Sequence, residues 1–164
     1  MNAKFLIMCC ALFAFAACTN KDYAYYEKTA RNFLEVMERL DASHERLTGN
    51  NFKAGIDSTD TGNSGLQDVS QKIAWIDEAI RNTNEIQHSE KAEAFNAQVL
   101  TYFEGVKNDY YGTLRKYLLA KDPAQQVAYR EQLISIRKKL GDEEIKSLEI
   151  QKKFLDDAGI PQGK

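Results

Sequence analysis

The chain has 164 residues, enough for one domain around a single core and too few for two comfortable ones. Its 22 Lys and Arg against 24 Asp and Glu leave a formal charge of −2, with no basic block, which excludes the electrostatic footprint of a nucleic-acid binder. A domain of this size buries roughly 68–70% of the surface its unfolded chain exposes, so its stability requires neither metal nor disulfide.

The first 17 residues differ from all that follow. Lys4 supplies a basic start, and an apolar run extends from Phe5 to Ala17. That run is shorter than the roughly 20 residues that cross a bilayer and ends on the small residues Ala16 and Ala17, the pattern of a removed signal peptide. Cys9 and Cys10 fall inside the removed segment. Cys18 is then the sole cysteine of the mature chain, and no intrachain disulfide can form.

The stretch FAAC at residues 15–18 resembles a bacterial lipobox, in which small residues precede a cysteine that becomes the mature N-terminus. The resemblance covers residues 1 to about 22 and implies a diacylglyceryl group on the Cys18 sulfur, an acylated Cys18 amine and attachment to a lipid bilayer. Phe15 stands where Leu, Val or Ile is usual in that class. Stable anchoring takes two membrane signals, which the chains on one such cysteine supply. Thr19 rather than Asp follows the cysteine, implying the outer membrane. The Lys21, Asp22 pair is similar to short export signals of some surface lipoproteins, so both the periplasmic and the external face stay open. Ordinary secretory cleavage near Ala17, leaving a free Cys18, is the alternative.

Residues 18–22 read as a short linker and 23–158 as an all-α domain, an antiparallel up-down-up-down four-helix bundle, with 159–164 as a tail. In the first helix Tyr26, Ala30, Phe33, Met37, Leu40, His44 and Leu47 form a heptad seam, and Gly49 offers a left-handed cap. Tyr23, Tyr25 and Tyr26 sit at the anchored end, where they either meet headgroups or pack the base of the bundle. A long Gly, Asn, Ser, Thr and Asp-rich loop spans 49–63 at the far end.

The second helix opens with Ser64 and Gln67 spaced as a capping box and presents Leu66, Val69, Ile73, Ile76, Ile80 and Thr83 on one face. The third begins near Ser89 and runs to about Lys121 on a stripe of Val99, Phe103, Val106, Tyr110, Thr113 and Tyr117. Asp122, Pro123 and Gln125 open the fourth. Its stripe of Tyr129, Leu133, Ile136 and Leu140 jumps five residues to Ile145, then Leu148 and Leu155. The jump predicts a kink or break near Gly141, with one kinked helix as the preferred form. Gly159 and Pro161 stop it.

Acids three residues before His44 and His88 imitate the spacing of di-iron bundles, but the predicted topology puts the two histidines roughly 30 Å apart at 1.5 Å per residue. No shared metal site is expected. Asp57 to Asp68 has the Asp, Gly and acid of a calcium loop at first, sixth and twelfth positions, but Thr59, Thr61 and Ser64 fit poorly, so a solvated loop is expected. No phosphate loop, zinc cysteine set or serine nucleophile motif occurs, so no cofactor and no enzymatic activity are expected. Two functions follow: an envelope lipoprotein that presents its distal loop (Asp57, Asp60, Asn63) and helix faces to an envelope or extracellular protein partner, or a bundle that binds a small ligand around Tyr102, Phe103, Gly105, Tyr110, Tyr111 and Gly112.

Overall fold

The computed structural model describes residues 3–49 and 61–161, with side chains described for 21–49 and 64–161. Among the described residues the chain is all-helical, with four helical arms and no strand. The arms are α1 (Ala3–Thr48), α2 (Thr61–Glu85), a composite third arm and α5 (Pro123–Ala158). The third arm runs through a 3₁₀ turn (Glu90–Ala92), α3 (Glu93–Glu104), a π-helical segment, π1 (Gly105–Tyr111), and α4 (Gly112–Leu119). Residues 18–22, read as a linker, continue the helix of α1. No described helix is long and apolar enough to cross a membrane.

Local chemistry sets most of the boundaries. Ser89 begins the third arm, its extended backbone letting its hydroxyl accept from Lys91 N at 3.2 Å. Asp122 caps α5 by accepting from Ala124 N at 3.1 Å, and Pro123 occupies the first turn, where no intrahelical donor is needed. Gln126 rather than the expected Gln125 reaches back across the cap, its Nε2 donating to Ala120 O at 2.8 Å, which is not a capping-box bond. At the other end Gly159 adopts φ +67°, Gly159 N donates to Asp156 O at 3.2 Å and Ile160 N to Leu155 O at 2.9 Å. That pattern is a Schellman stop, and Ile160 is buried beside it.

Two expected boundaries are corrected. Gly49 is not left-handed: its amide donates to Glu45 O at 2.8 Å as in an ordinary turn, and Gly159 alone among the described residues has positive φ. α2 starts at Thr61, not at Ser64, so the connection is shorter than 49–63 and Ser64 lies inside the helix. Packing supports the additional turn, because Gly65 lies against Leu118 of α4, 3.5 Å from where a Cβ would stand.

The core also corrects the phase of two helices. α1 buries Tyr25, Thr29, Phe33, Val36, Leu40, Ser43 and Leu47, so at its base the seam passes through Tyr25 rather than Tyr26. Tyr25 packs edge-on against Phe95 and Phe154, with ring centroids 6.3 and 5.9 Å away, which makes it core and not a headgroup contact. Tyr23 remains solvent-facing. α5 is one uninterrupted helix, and the five-residue jump at Gly141 dissolves: the buried row continues from Leu133 and Leu140 through Glu144 and Ser147 to Phe154, while Ile145 is 61% exposed.

This register is testable by chemical unfolding. Tyr25→Ala removes a fully buried ring and is expected to cost about 3–5 kcal/mol, whereas Tyr26→Ala, half-buried, is expected to cost about 1–2 kcal/mol. Equal costs would restore the seam through Tyr26.

Candidate functional site

Carrying the four-three spacing forward from Leu133 lands on Arg137, Leu140, Glu144 and Ser147, so two charged side chains occupy the face of α5 that turns inward. Glu144 is only 8% exposed. The Tyr102 hydroxyl donates to its Oε1 at 2.7 Å, Arg137 Nη1 lies 3.3 Å from the same oxygen, and Arg137 Nη2 donates to Oε2 at 3.3 Å. Arg137 reaches α1 as well, donating from Nη2 at 2.7 Å and from Nε at 3.0 Å to Asp41 Oδ1. One guanidinium thus ties α1 to α5 while the carboxylate beneath it ties α5 to α3. A buried carboxylate is tolerated only when its lone pairs are met, and here both oxygens are met.

One level along, π1 inserts a wider turn into the third arm and brings the consecutive rings of Tyr110 and Tyr111 both inside. Tyr110 OH and His44 Nδ1 share a hydrogen bond of 3.2 Å. Tyr111 OH lies 3.1 Å from Ser43 Oγ and donates to Arg39 O at 3.3 Å, and Lys72 Nζ donates to Ser43 Oγ at 3.0 Å and to Asp68 Oδ2 at 2.7 Å. The Arg39 guanidinium covers the Trp75 ring at 4.1 Å. Burial pushes the hydroxyls of Tyr25, Tyr102, Tyr110 and Tyr111 above the ordinary range, and Glu144 adds to the effect at Tyr102. Burial and then Arg137 lower the His44 imidazole, against the opposite pull of Asp41. These donors and acceptors face one another rather than open space, so chemically the set is a latch between helices.

The third-arm aromatics expected to line a ligand pocket are packed inside the domain. Tyr102, Phe103, Tyr110 and Tyr111 are at most 1% exposed and fill the core. Gly105 allows close packing instead, since a Cβ there would stand 3.1 Å from Leu140 Cδ2. It floors a shallow groove of about 270 Å³ edged by Glu104, Asp109, Lys139 and Glu143, outside the aromatic cluster. A Cβ at position 112 would meet Lys107 O at 4.0 Å, an ordinary contact, so the glycine there has no steric explanation. A more polar surface groove of about 550 Å³ lies between α1 and α2, edged by Lys28, Arg31, Asn32, Asn82 and Glu85.

The two histidines are held apart. His88 lies in the connection beyond α2, its ring 4.8 Å from that of Tyr25 and its Nδ1 donating to Ser89 O at 3.1 Å. Tyr25 precedes His44 by 19 residues, or about 28 Å of helix. Among the described residues no three His, Cys, Asp or Glu side chains group as metal ligands. Of the distal-loop candidates, Asp57 and Asp60 lie outside the described residues; Asn63 falls in the first turn of α2, and its side chain is outside the described set, as is that of Cys18.

At the Cys18 end the informative contact is one the sequence reading assigned elsewhere. Asp22, half of the dipeptide similar to an export signal, is 3% exposed and accepts from Ser89 N at 3.0 Å and Ser89 Oγ at 2.8 Å. Lys91 Nζ donates to Asp157 O at 2.9 Å, joining the end of α5 to the same corner. Asp22 therefore clamps the base of α1 to the start of the third arm. The signal that could have revealed it is the Ser89 cap itself, a helix start that an acid can complete.

No known family model, curated protein or solved structure matches the chain.

The buried tyrosines define an alkaline limit. Their folded-state values lie above the ordinary 10.0, so the stability they contribute is complete below about pH 10 and lost as pH rises through the folded range. Tyrosinate absorbance followed together with circular dichroism is expected to show Tyr25, Tyr102 and Tyr110 ionising only as helix is lost. Ionisation of these three near pH 10 with the helix intact would contradict the packing described.

Proposed function

We propose that the protein is a non-enzymatic lipoprotein of the bacterial outer membrane, held by acylated Cys18, whose helical domain is an up-down-up-down bundle acting as a structural or protein-interaction module. The observation that carries this reading is the Asp22 clamp. Among the residues whose side chains are described, Asp22, four residues after the lipobox-like cysteine, is already buried in core packing, and the residues between are helical. At 1.5 Å per residue the anchor stands about 6 Å along the axis from the first clamped side chain. A domain so close to its anchor is a membrane-proximal body rather than a module on a long tether.

The pairing of residues across the core supports the bundle topology. Asp22 meets Ser89, Asn32 meets Thr83 and Ser43 meets Lys72, so numbers rise along α1 as they fall along α2 and its connection. Tyr25 with Asn96, Phe33 with Tyr102 and Ser43 with Tyr111 rise together, while Tyr25 with Phe154 and Asp41 with Arg137 run oppositely. A filled aromatic core favours recognition by the outer surface over recognition by an internal pocket. In the folded chain Asp22 is buried, which favours the periplasmic face over a surface signal read from Lys21 and Asp22 together.

Expression of wild type and Cys18→Ala in the native host tests the anchor. The wild type is expected in the outer-membrane fraction with acyl chains on Cys18 by mass spectrometry, and Cys18→Ala in the soluble fraction. A soluble, unacylated wild type would overturn the reading.

A further inference from the structure

Seven large apolar side chains are exposed among the described residues, and six share one face. Four lie on α5: Val127, Ile134, Ile145 and Leu148. At 100° per residue they fall within a stripe about 60° wide that runs for some 30 Å. Tyr23 and Leu34 are eleven residues apart on α1, nearly the same direction from its axis, and Leu34 is seven before Asp41, which pairs with α5. Because Tyr25 meets Phe154 and Asp41 meets Arg137, Leu34 lies level with Ile145. The two helices therefore present these six apolar residues on one outer side, with Glu131, Lys138 and Lys152 among them.

We propose that this face pairs with the same face of a second copy, α5 against α5 in antiparallel orientation, so that the module's partner is itself. Ile134, Lys138, Gly141 and Ile145 are spaced four, three and four, a pattern that reads the same in both directions. Inverting one copy over the other sets Ile134 against Ile145 twice and lays the Lys138 stem over Gly141 twice, where there is no Cβ to obstruct it. Parallel pairing instead stacks Glu131, Lys138 and Lys152 on their own copies, like charge on like charge. Area agrees with the choice of occupant. The six residues leave roughly 600 Å² in water on each copy, so a symmetric pair that covers them fully removes at most about 1,200 Å² from them, and flanking residues such as Lys138 add to it toward the 1,200–2,000 Å² of a stable specific interface. Antiparallel pairing carries the two Cys18 ends apart, so the pair lies along the bilayer and is held at both ends.

This inference rests on the interaction-module reading but not on acylation, and the test separates the two. The full chain, purified in mild detergent, is examined by density-matched sedimentation equilibrium. The protein mass is expected to be twice that of one chain, and Ile145→Lys with Leu148→Lys is expected to weaken self-association at least about tenfold with circular dichroism unchanged. In native membranes, mild oxidation of a chain carrying both Ile134→Cys and Ile145→Cys is expected to give disulfide-linked dimers that the wild type does not. An intrachain bond cannot account for them, since eleven helical residues separate those positions by about 16 Å. A monomer at every concentration, a dimer unaffected by the lysines, or cross-links only to other proteins would overturn self-pairing, while the membrane assignment would still be decided by Cys18.

Discussion

Glu144 is the constraint on which the rest of the fourth arm depends. A carboxylate at a core position is tolerated only if its oxygens are met, so Tyr102 and Arg137 must both be present, and Arg137 in turn takes up Asp41. Fixing Glu144 inward fixes the rotation of α5 about its axis. Ser147 and Phe154 then follow inward, and Ile145 and Leu148, whose apolarity alone would take them to the core, are turned out to solvent. The exposed apolar face and the polar interior latch are thus two consequences of one choice of phase.

How far this was legible in the chain depends on which chemistry carried the information. The caps at Ser89, Asp122 and Gly159 were readable because hydroxyl, carboxylate and missing Cβ each have a local role independent of tertiary packing. The stripe through Val99, Phe103, Val106 and Tyr110 was readable because large apolar residues announce a buried face. Glu144 and Ser147 were missed for the converse reason: a hydrophobic pattern cannot distinguish an acid with a buried partner from an acid in water. Reading the spacing strictly through polar positions would have found them, and would have removed the supposed kink at Gly141. Tyr25 and Tyr26 are adjacent and alike in composition, so only the neighbours Phe95, Phe154 and Asn96 decide between them.

The third arm shows a different limit. Its aromatics suggested a ligand pocket because Tyr and Phe beside glycines could line one, yet π1 turns both Tyr110 and Tyr111 into the core and Gly105 admits Leu140. The rings are consumed by packing, and their hydroxyls by His44, Ser43 and Glu144. The recognition proposed for this domain would then fall to the outside of the helices. With Asp22 holding the domain beside Cys18, the proposed anchor and the apolar face belong to one short, stiff body, well suited to assembly at a membrane surface.

A double-mutant cycle between Arg137 and Glu144 tests the phase-setting latch most directly. Arg137→Met, Glu144→Gln and the pair would be compared with wild type in denaturant unfolding. The account predicts a coupling of about 1–3 kcal/mol, because either single change leaves a partly buried charged or polar group with an unmet partner. Simple additivity would contradict it, and would mean that apolar packing alone sets the rotation of α5.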